Sequence, residues 1–229
     1  MAVLDNIVSL HQHGKKGLAM LVDPDKPNTS SICERVNKLA QQGLHAQMVL
    51  IGGSTGRLTD TKLFEEVRQA GLPTVLFPGN AEQLTEAADA LLLPSVISGR
   101  NAEMLIGAHV RAAKQIQALD IEVIPMGYIL VDGGKESSVS KVSGTQPIPQ
   151  ENIEEIVQTA IAGELLGKQV IYLEAGSGAI VPVQQEVIKA VRQAVRVPLL
   201  VGGGIKTKAM AEQAWLSGAD IVVIGNGLE

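Results

Sequence analysis

Eight short apolar runs, each separated from the next by an amphipathic stretch, constrain this chain more than any other feature. They fall at residues 17–22, 47–51, 74–77, 90–93, 122–130, 170–173, 199–201 and 221–224. Most are apolar throughout, as strands covered on both faces are. Their alternation with helical stretches predicts a parallel sheet with helical crossovers. Eight such units within 229 residues favour a TIM (β/α)8 barrel, an α/β fold, over an open Rossmann sheet. No Gly-x-Gly-x-x-Gly follows the first strand, which also counts against a dinucleotide fold. Helix boundaries are marked: Ser31 with Glu34 reads as a capping box, Asn80, Asn101 and Thr207 as N-caps, and Gly43 and Gly71 as helix ends. The expected organisation is one barrel domain over residues 1–229. The sequence stops at Glu229 just after the eighth strand, so the last helix of a complete barrel is absent from the given chain.

Composition excludes several classes of function. With 19 basic against 24 acidic side chains the formal net charge is −5, so no basic stripe exists for a nucleic-acid partner. A single cysteine, Cys33, excludes an internal disulfide and a multi-cysteine metal site. No apolar run approaches the ~18 residues of a membrane span. Asp5 interrupts the first apolar stretch and Lys15 and Lys16 follow it, the reverse of an export signal. A cytoplasmic, homo-oligomeric enzyme is expected. One connection, 131–150, is long and rich in Gly, Ser and Lys, the length of a functional lid or of a plain flexible insertion.

In a barrel, chemistry gathers at the C-terminal strand ends. Here the strands are followed by Asp23-Pro24-Asp25-Lys26, Gly52-Gly53-Ser54-Thr55, Pro78-Gly79-Asn80, Glu174-Ala175-Gly176-Ser177-Gly178, Gly202-Gly203-Gly204 and Gly225-Asn226-Gly227. The last two are glycine turns after strands seven and eight. Such turns let backbone N–H groups converge on a phosphate without a clashing Cβ. Asp23 and Asp25, with Ser54 on the neighbouring strand end, suit Mg²⁺ or serve as turn formers and caps. Glu174, beside Tyr172, is placed to be a general base raised in pKa by burial, or a paired carboxylate. Phe77, Tyr128 and Tyr172 lie near strand ends and can line an apolar pocket or simply pack. The four histidines avoid strand ends, which argues against a histidine triad or zinc site.

Taken together, Leu21–Lys26 (LVDPDK), Gly52–Ser54 (GGS), Tyr172–Gly178 (YLEAGSG), Val201–Ile205 (VGGGI) and Ile224–Glu229 (IGNGLE) resemble the geranylgeranylglyceryl phosphate synthase family, which includes bacterial heptaprenylglyceryl phosphate synthases. The resemblance runs from the first strand to the chain end. It implies ether formation between the C3 hydroxyl of sn-glycerol 1-phosphate and a prenyl diphosphate, with Mg²⁺ at Asp23 and Ser54. It places glycerol phosphate along Tyr172, Leu173, Glu174, Ala175, Gly176, Ser177 and Gly178, at Gly203 and Gly204, and at Gly225 and Asn226. Glu174 would take the hydroxyl proton, and Phe77 and Tyr128 would border the prenyl chain, C20 being favoured over C35. Two other classes compete. A sugar-phosphate isomerase, epimerase or lyase would use the same phosphate cradle but needs a catalytic lysine or second acid on an inner strand. A non-catalytic phosphate-binding barrel would leave Asp23, Ser54 and Glu174 without a common task.

Overall fold

The computed structural model describes residues 2–24, 30–53 and 62–225. Eight parallel strands close into a barrel in sequence order, with β1 paired to both β2 and β8. They are β1 (Gly17–Val22), β2 (Met48–Ile51), β3 (Thr74–Leu76), β4 (Ala90–Val96), β5 (Glu122–Leu130), β6 (Val170–Glu174), β7 (Leu199–Gly202) and β8 (Ile221–Ile224). The helices are α1 (Val3–Gln12), α2 (Ile32–Gln41), α3 (Lys62–Gln69), α4 (Ala108–Ala118), α5 (Ser138–Ser143), α6 (Ile153–Leu165), α7 (Gln185–Ala194) and α8 (Lys208–Leu216). A π-helical turn, Glu103–Gly107, leads into α4.

The TIM-barrel expectation therefore holds, and three strands match the expected bounds at both ends. β4 runs further than expected, through Pro94. Beyond Leu91 the strand no longer pairs with β3, so one side of it is free and a proline's missing N–H is tolerated there. The Ser31–Glu34 capping box forms in full, and Asn80 and Thr207 accept hydrogen bonds from backbone N–H groups as caps do. Gly43 and Gly71 adopt φ +73° and +70°, the left-handed conformation that closes a helix.

Strand alternation sorts side chains into two cores. Ala19, Met48, Leu50, Val75, Leu92, Met126, Tyr128, Val170, Tyr172, Leu200 and Val223 fill the barrel. Val49, Ile51, Leu91, Ile129, Ile171, Leu173, Val201 and Val222 face the helices. The same alternation, continued past the last strand residues, turns Asp23, Glu174, Gly202 and Gly225 toward the barrel interior.

The opposite mouth is plugged. Val3, Ile7 and Leu10, on one stripe of α1, join the barrel core. The first amides of α1 are capped from far away: Val3 N–H donates to Glu122 Oε2 at 2.6 Å and Leu4 N–H to Oε1 at 3.2 Å. Nearby, Asp220, buried to 3% exposure, accepts from Arg192 Nη1 at 2.8 Å and from the Leu199 amide at 2.8 Å. It also pairs with His11 Nδ1 at 3.1 Å.

The 131–150 connection is a built structure and contains α5. Ser137 caps α5 through the Ser140 amide. Val131 and Ile148 form a parallel bridge. Gln150 ties the end down: its amide nitrogen donates to the Asp132 and Pro182 carbonyls, and its oxygen accepts from Gln184 N–H at 2.7 Å.

Replacing Asp220 with Ala strands Arg192 and the Leu199 amide and is expected to cost about 3–5 kcal/mol. Urea unfolding of both proteins measures this, and Asp220→Asn, which keeps an acceptor, should lose less.

Candidate active site

Tyr172 and Glu174 are two residues apart on β6, so both side chains project into the barrel. Glu174 is 8% exposed, and each of its oxygens is met by a donor. The Tyr172 hydroxyl donates to Oε2 in a short contact, and the Gly176 N–H donates to Oε1 at 2.8 Å. Burial raises the Glu174 pKa above the ordinary carboxylate value, while these two hydrogen bonds pull it down in part. Burial first, and then the Glu174 charge, hold the Tyr172 and Tyr128 hydroxyls well above their usual pKa. Tyr172 therefore stays a proton donor to the carboxylate. Its ring stacks edge-on against Tyr128 at 5.5 Å and lies 5.7 Å from Phe77. These three rings close off the barrel core beneath the carboxylate.

The glycine turns make room for this group. A Cβ on Gly203 would fall 2.5 Å from Glu174 Oε1 and 2.6 Å from the Gly176 nitrogen. A Cβ on Gly202 would fall 2.2 Å from the Tyr172 hydroxyl. Gly203 and Gly204 also have φ of +83° and +72°. Glycine is thus required both for the close approach and for the backbone shape. The ends of β6 and β7 meet directly, the Ala175 N–H donating to the Gly202 carbonyl at 3.1 Å.

On the far side of the mouth Asp23 follows β1 and lies against the β2 turn. A Cβ on Gly53 would sit 2.7 Å from Asp23 Oδ1, so the turn leading to Ser54 is shaped around that carboxylate. Among the described residues no group of three or more His, Cys, Asp or Glu side chains could hold a metal ion. Asp23 offers one hard carboxylate at this strand end, the kind of oxygen ligand that Mg²⁺ takes.

Of the residues expected at the site, Tyr172, Glu174, Gly176 and Gly203 come into direct contact, with Gly204 next to them. Leu173 and Ala175 belong to the outer core, so only their backbone faces the turn. Ser177 and Gly178 are exposed. Gly225 is half-buried at the end of β8, and among the described residues nothing lies within 4 Å of where its Cβ would be. Asp25, Lys26, Ser54 and Asn226 lie outside the described residues. Two contributors were not legible in the sequence. Ser137, from the 131–150 segment, packs against Gly176, where a Cβ would meet its own at 2.6 Å. Arg35, on α2, donates from Nη2 to the Gly225 carbonyl at 2.8 Å. A separate groove of about 230 Å³ lies outside the barrel between α7 and α8, lined by Ile188, Ile205, Met210 and Ala214 among others. It lacks the carboxylate–hydroxyl pair.

The profile of the PcrB family matches residues 11–229. The chain belongs to the PcrB family. A relative from Zunongwangia profunda named geranylgeranylglyceryl phosphate synthase is 44% identical, over 99% of this chain and 97% of its own length. One of the same name from Thermococcus kodakarensis is 36% identical, over 92% and 83%. The crystal structure of (S)-3-O-geranylgeranylglyceryl phosphate synthase from Thermoplasma acidophilum, in complex with sn-glycerol-1-phosphate, superposes with a TM-score of 0.85. It is 30% identical and covers 98% of this chain and 90% of that one. The resemblance drawn from the strand-end motifs is thereby upheld.

Gly203→Ala and Gly178→Ala test the rim. Both positions have positive φ, but an added Cβ at Gly178 approaches only the end of the Lys135 side chain, at 4.0 Å. Gly203→Ala should be the less stable by about 1–3 kcal/mol, the cost of overpacking, in paired denaturant melts.

Proposed function

We propose that this chain transfers a prenyl group, geranylgeranyl in the first instance, from its diphosphate to the C3 hydroxyl of sn-glycerol 1-phosphate. The observation that carries this reading is the Glu174 carboxylate, buried at a glycine-lined rim and held by Tyr172 and the Gly176 N–H. A base for an unactivated alcohol needs a raised pKa and a fixed position, and Glu174 has both. The names of the relatives and the glycerol phosphate bound by the Thermoplasma acidophilum enzyme support the same pair of substrates.

In this reading the glycine turns at Gly203–Gly204 and Gly225 receive the phosphate of glycerol phosphate, with backbone N–H groups as donors. That anchors the C3 hydroxyl beside Glu174, which accepts its proton. The oxygen then bonds to the allylic carbon of the prenyl group. The bond from that carbon to the diphosphate oxygen breaks, and diphosphate leaves with the electron pair. Tyr172 and Gly176 keep the carboxylate oriented throughout, so little reorganisation is needed as the proton moves. Asp23, with Ser54, would hold Mg²⁺, whose charge stabilises a departing diphosphate. Phe77 and Tyr128 keep water from the base and offer an apolar floor.

The test incubates the protein with Mg²⁺, sn-glycerol 1-phosphate and labelled C20 or C35 prenyl diphosphate. Ether product from the C20 donor, abolished by chelation, is expected; no product with either donor sinks the reading. Glu174→Gln should lower kcat by at least about 100-fold, the lower end of a general base's contribution, without lowering Tm, since a buried charge is removed.

The pH dependence has a definite sign. The raised Glu174 pKa puts the acidic limb of kcat/KM, which reports the free enzyme, above the ordinary carboxylate value, because the base works only when deprotonated. Tyr172→Phe removes a hydrogen bond that favours the charged form, so the limb moves to higher pH. A kcat/KM limb that moves down or stays in place contradicts the assigned hydrogen bond.

A further inference from the structure

The amide that answers Glu174 Oε1 belongs to Gly176, whose φ is +99°. Glycine leaves such a conformation easily, so something outside the turn has to hold it. Two neighbours do. Gly203, in the turn after β7, comes so close that its Cβ would fall 2.6 Å from the Gly176 nitrogen. The other is Ser137, since a Cβ on Gly176 would meet the Ser137 Cβ at 2.6 Å. Ser137 is 5% exposed and caps α5, its Oγ accepting from the Ser140 N–H at 3.0 Å. The segment that carries it is fastened on both sides. Before it, the Val131 N–H donates to the Glu174 carbonyl at 2.9 Å, and the Gly133 carbonyl accepts from the Ile180 and Val181 amides at 2.9 and 3.1 Å. After it, Gln150 ties the segment to Asp132, Pro182 and Gln184. Residues 131–150 therefore form a fixed strap across the turn that follows β6.

We propose that Ser137 is a positioning residue for the base: its Cβ, fastened in the strap, is a wedge against Gly176 that keeps the Gly176 N–H aimed at Glu174 Oε1. The inference rests on Glu174 acting as the base and goes beyond it by giving the 131–150 segment a part in the reaction. One small residue has two separable tasks here: its hydroxyl caps a helix, and its Cβ fills the space beside a glycine. A donor fixed before substrate arrives need not be reoriented as the proton of the alcohol moves. Without the wedge the glycine relaxes among several φ values, and the bond to Oε1 is made only part of the time. The carboxylate then loses a donor that favours its charged form. Among the described residues the titratable groups facing Glu174 are Tyr172 on β6 and Tyr128 on β5. The turn after β7 brings glycine backbone, and the charged residues of the strap, Asp132, Lys135, Glu136 and Lys141, are exposed.

Two substitutions separate the wedge from the cap. Ser137→Ala keeps the Cβ and loses the cap. Ser137→Gly loses the Cβ, while glycine at an N-cap costs far less than alanine. In each intact protein the Glu174 carboxyl is titrated without substrate by infrared difference spectroscopy, its signal being the one absent from Glu174→Gln. Tm and kcat/KM–pH profiles are measured alongside. Ser137→Ala should have the lower Tm of the two and keep the wild-type titration. Ser137→Gly should titrate at higher pH, and its kcat/KM on the acidic limb should fall about three- to tenfold, part of the worth of a hydrogen bond to a charged group. Stability and titration thus rank the two variants in opposite orders. A Ser137→Gly titration that matches wild type overturns the proposal. So does a displacement in Ser137→Ala as large as that in Ser137→Gly, since the cap is then what matters. A displaced Ser137→Gly titration with a Tm loss greater than that of Ser137→Ala also overturns it, because the strap has then loosened as a whole. The titration needs no substrate, so the two readings fail separately. Absence of ether product counts against the transferase, and an unmoved titration counts against Ser137.

Discussion

Withdrawing the Glu174 carboxylate from water is costly unless donors answer its oxygens, and the mouth of the barrel is arranged around that requirement. One donor, the Tyr172 hydroxyl, comes from the same strand two residues earlier. The other, the Gly176 amide, comes from the turn that follows. Neither is available unless β6 keeps its alternation to the last residue and the turn then folds back over the carboxylate. Tyr172 is in turn held by Phe77, which directly follows β3, and by Tyr128 from β5. The chemistry of one side chain thus depends on the packing of three strands.

The glycines at the rim follow from the same crowding. Gly202 and Gly203 are placed where any Cβ would enter the Tyr172–Glu174 pair. Gly52, across the mouth, faces the Phe77 carbonyl just as closely. Glycine here does two things that a longer side chain cannot. It lets adjacent strand ends approach to backbone contact, and it accepts the left-handed φ that Gly203 and Gly204 adopt.

Local patterns carried the fold well. Apolar runs gave the eight strands because a strand covered on both faces has no polar residues to blur its limits. The Ser31 capping box and the glycine helix ends are properties of four or five consecutive residues, and they formed as expected. Strand alternation then turned Glu174 and Asp23 inward, as the strand-end motifs require. What escaped was settled by partners distant in the chain. The bonds from Glu122 to α1, from Asp220 to Arg192 and from Arg35 to Gly225 leave no local signature. Likewise, the 131–150 segment reads equally as a lid or as a loose insertion because its Gly and Ser residues are individually permissive. Its order comes from Gln150 reaching Asp132, Pro182 and Gln184. The expected roles of Ser54 and Asn226 fall outside the described residues.

The plug at the closed end also bears on how the chain assembles. Helix α1 leaves the ribosome well before the groups that secure it: the carboxylate that caps its opening amides is Glu122, and the strand that completes the ring around its apolar stripe is β8. An emerging chain therefore holds its first helix with bare amides and an uncovered face until more than half of the molecule has been made. Closure waits for the final strand, so the entropy of joining distant segments has to be met before the contacts that reward it form. The order of synthesis and the order of consolidation run in opposite directions at this end of the barrel, and a helix made before all eight strands is among the last elements to be secured.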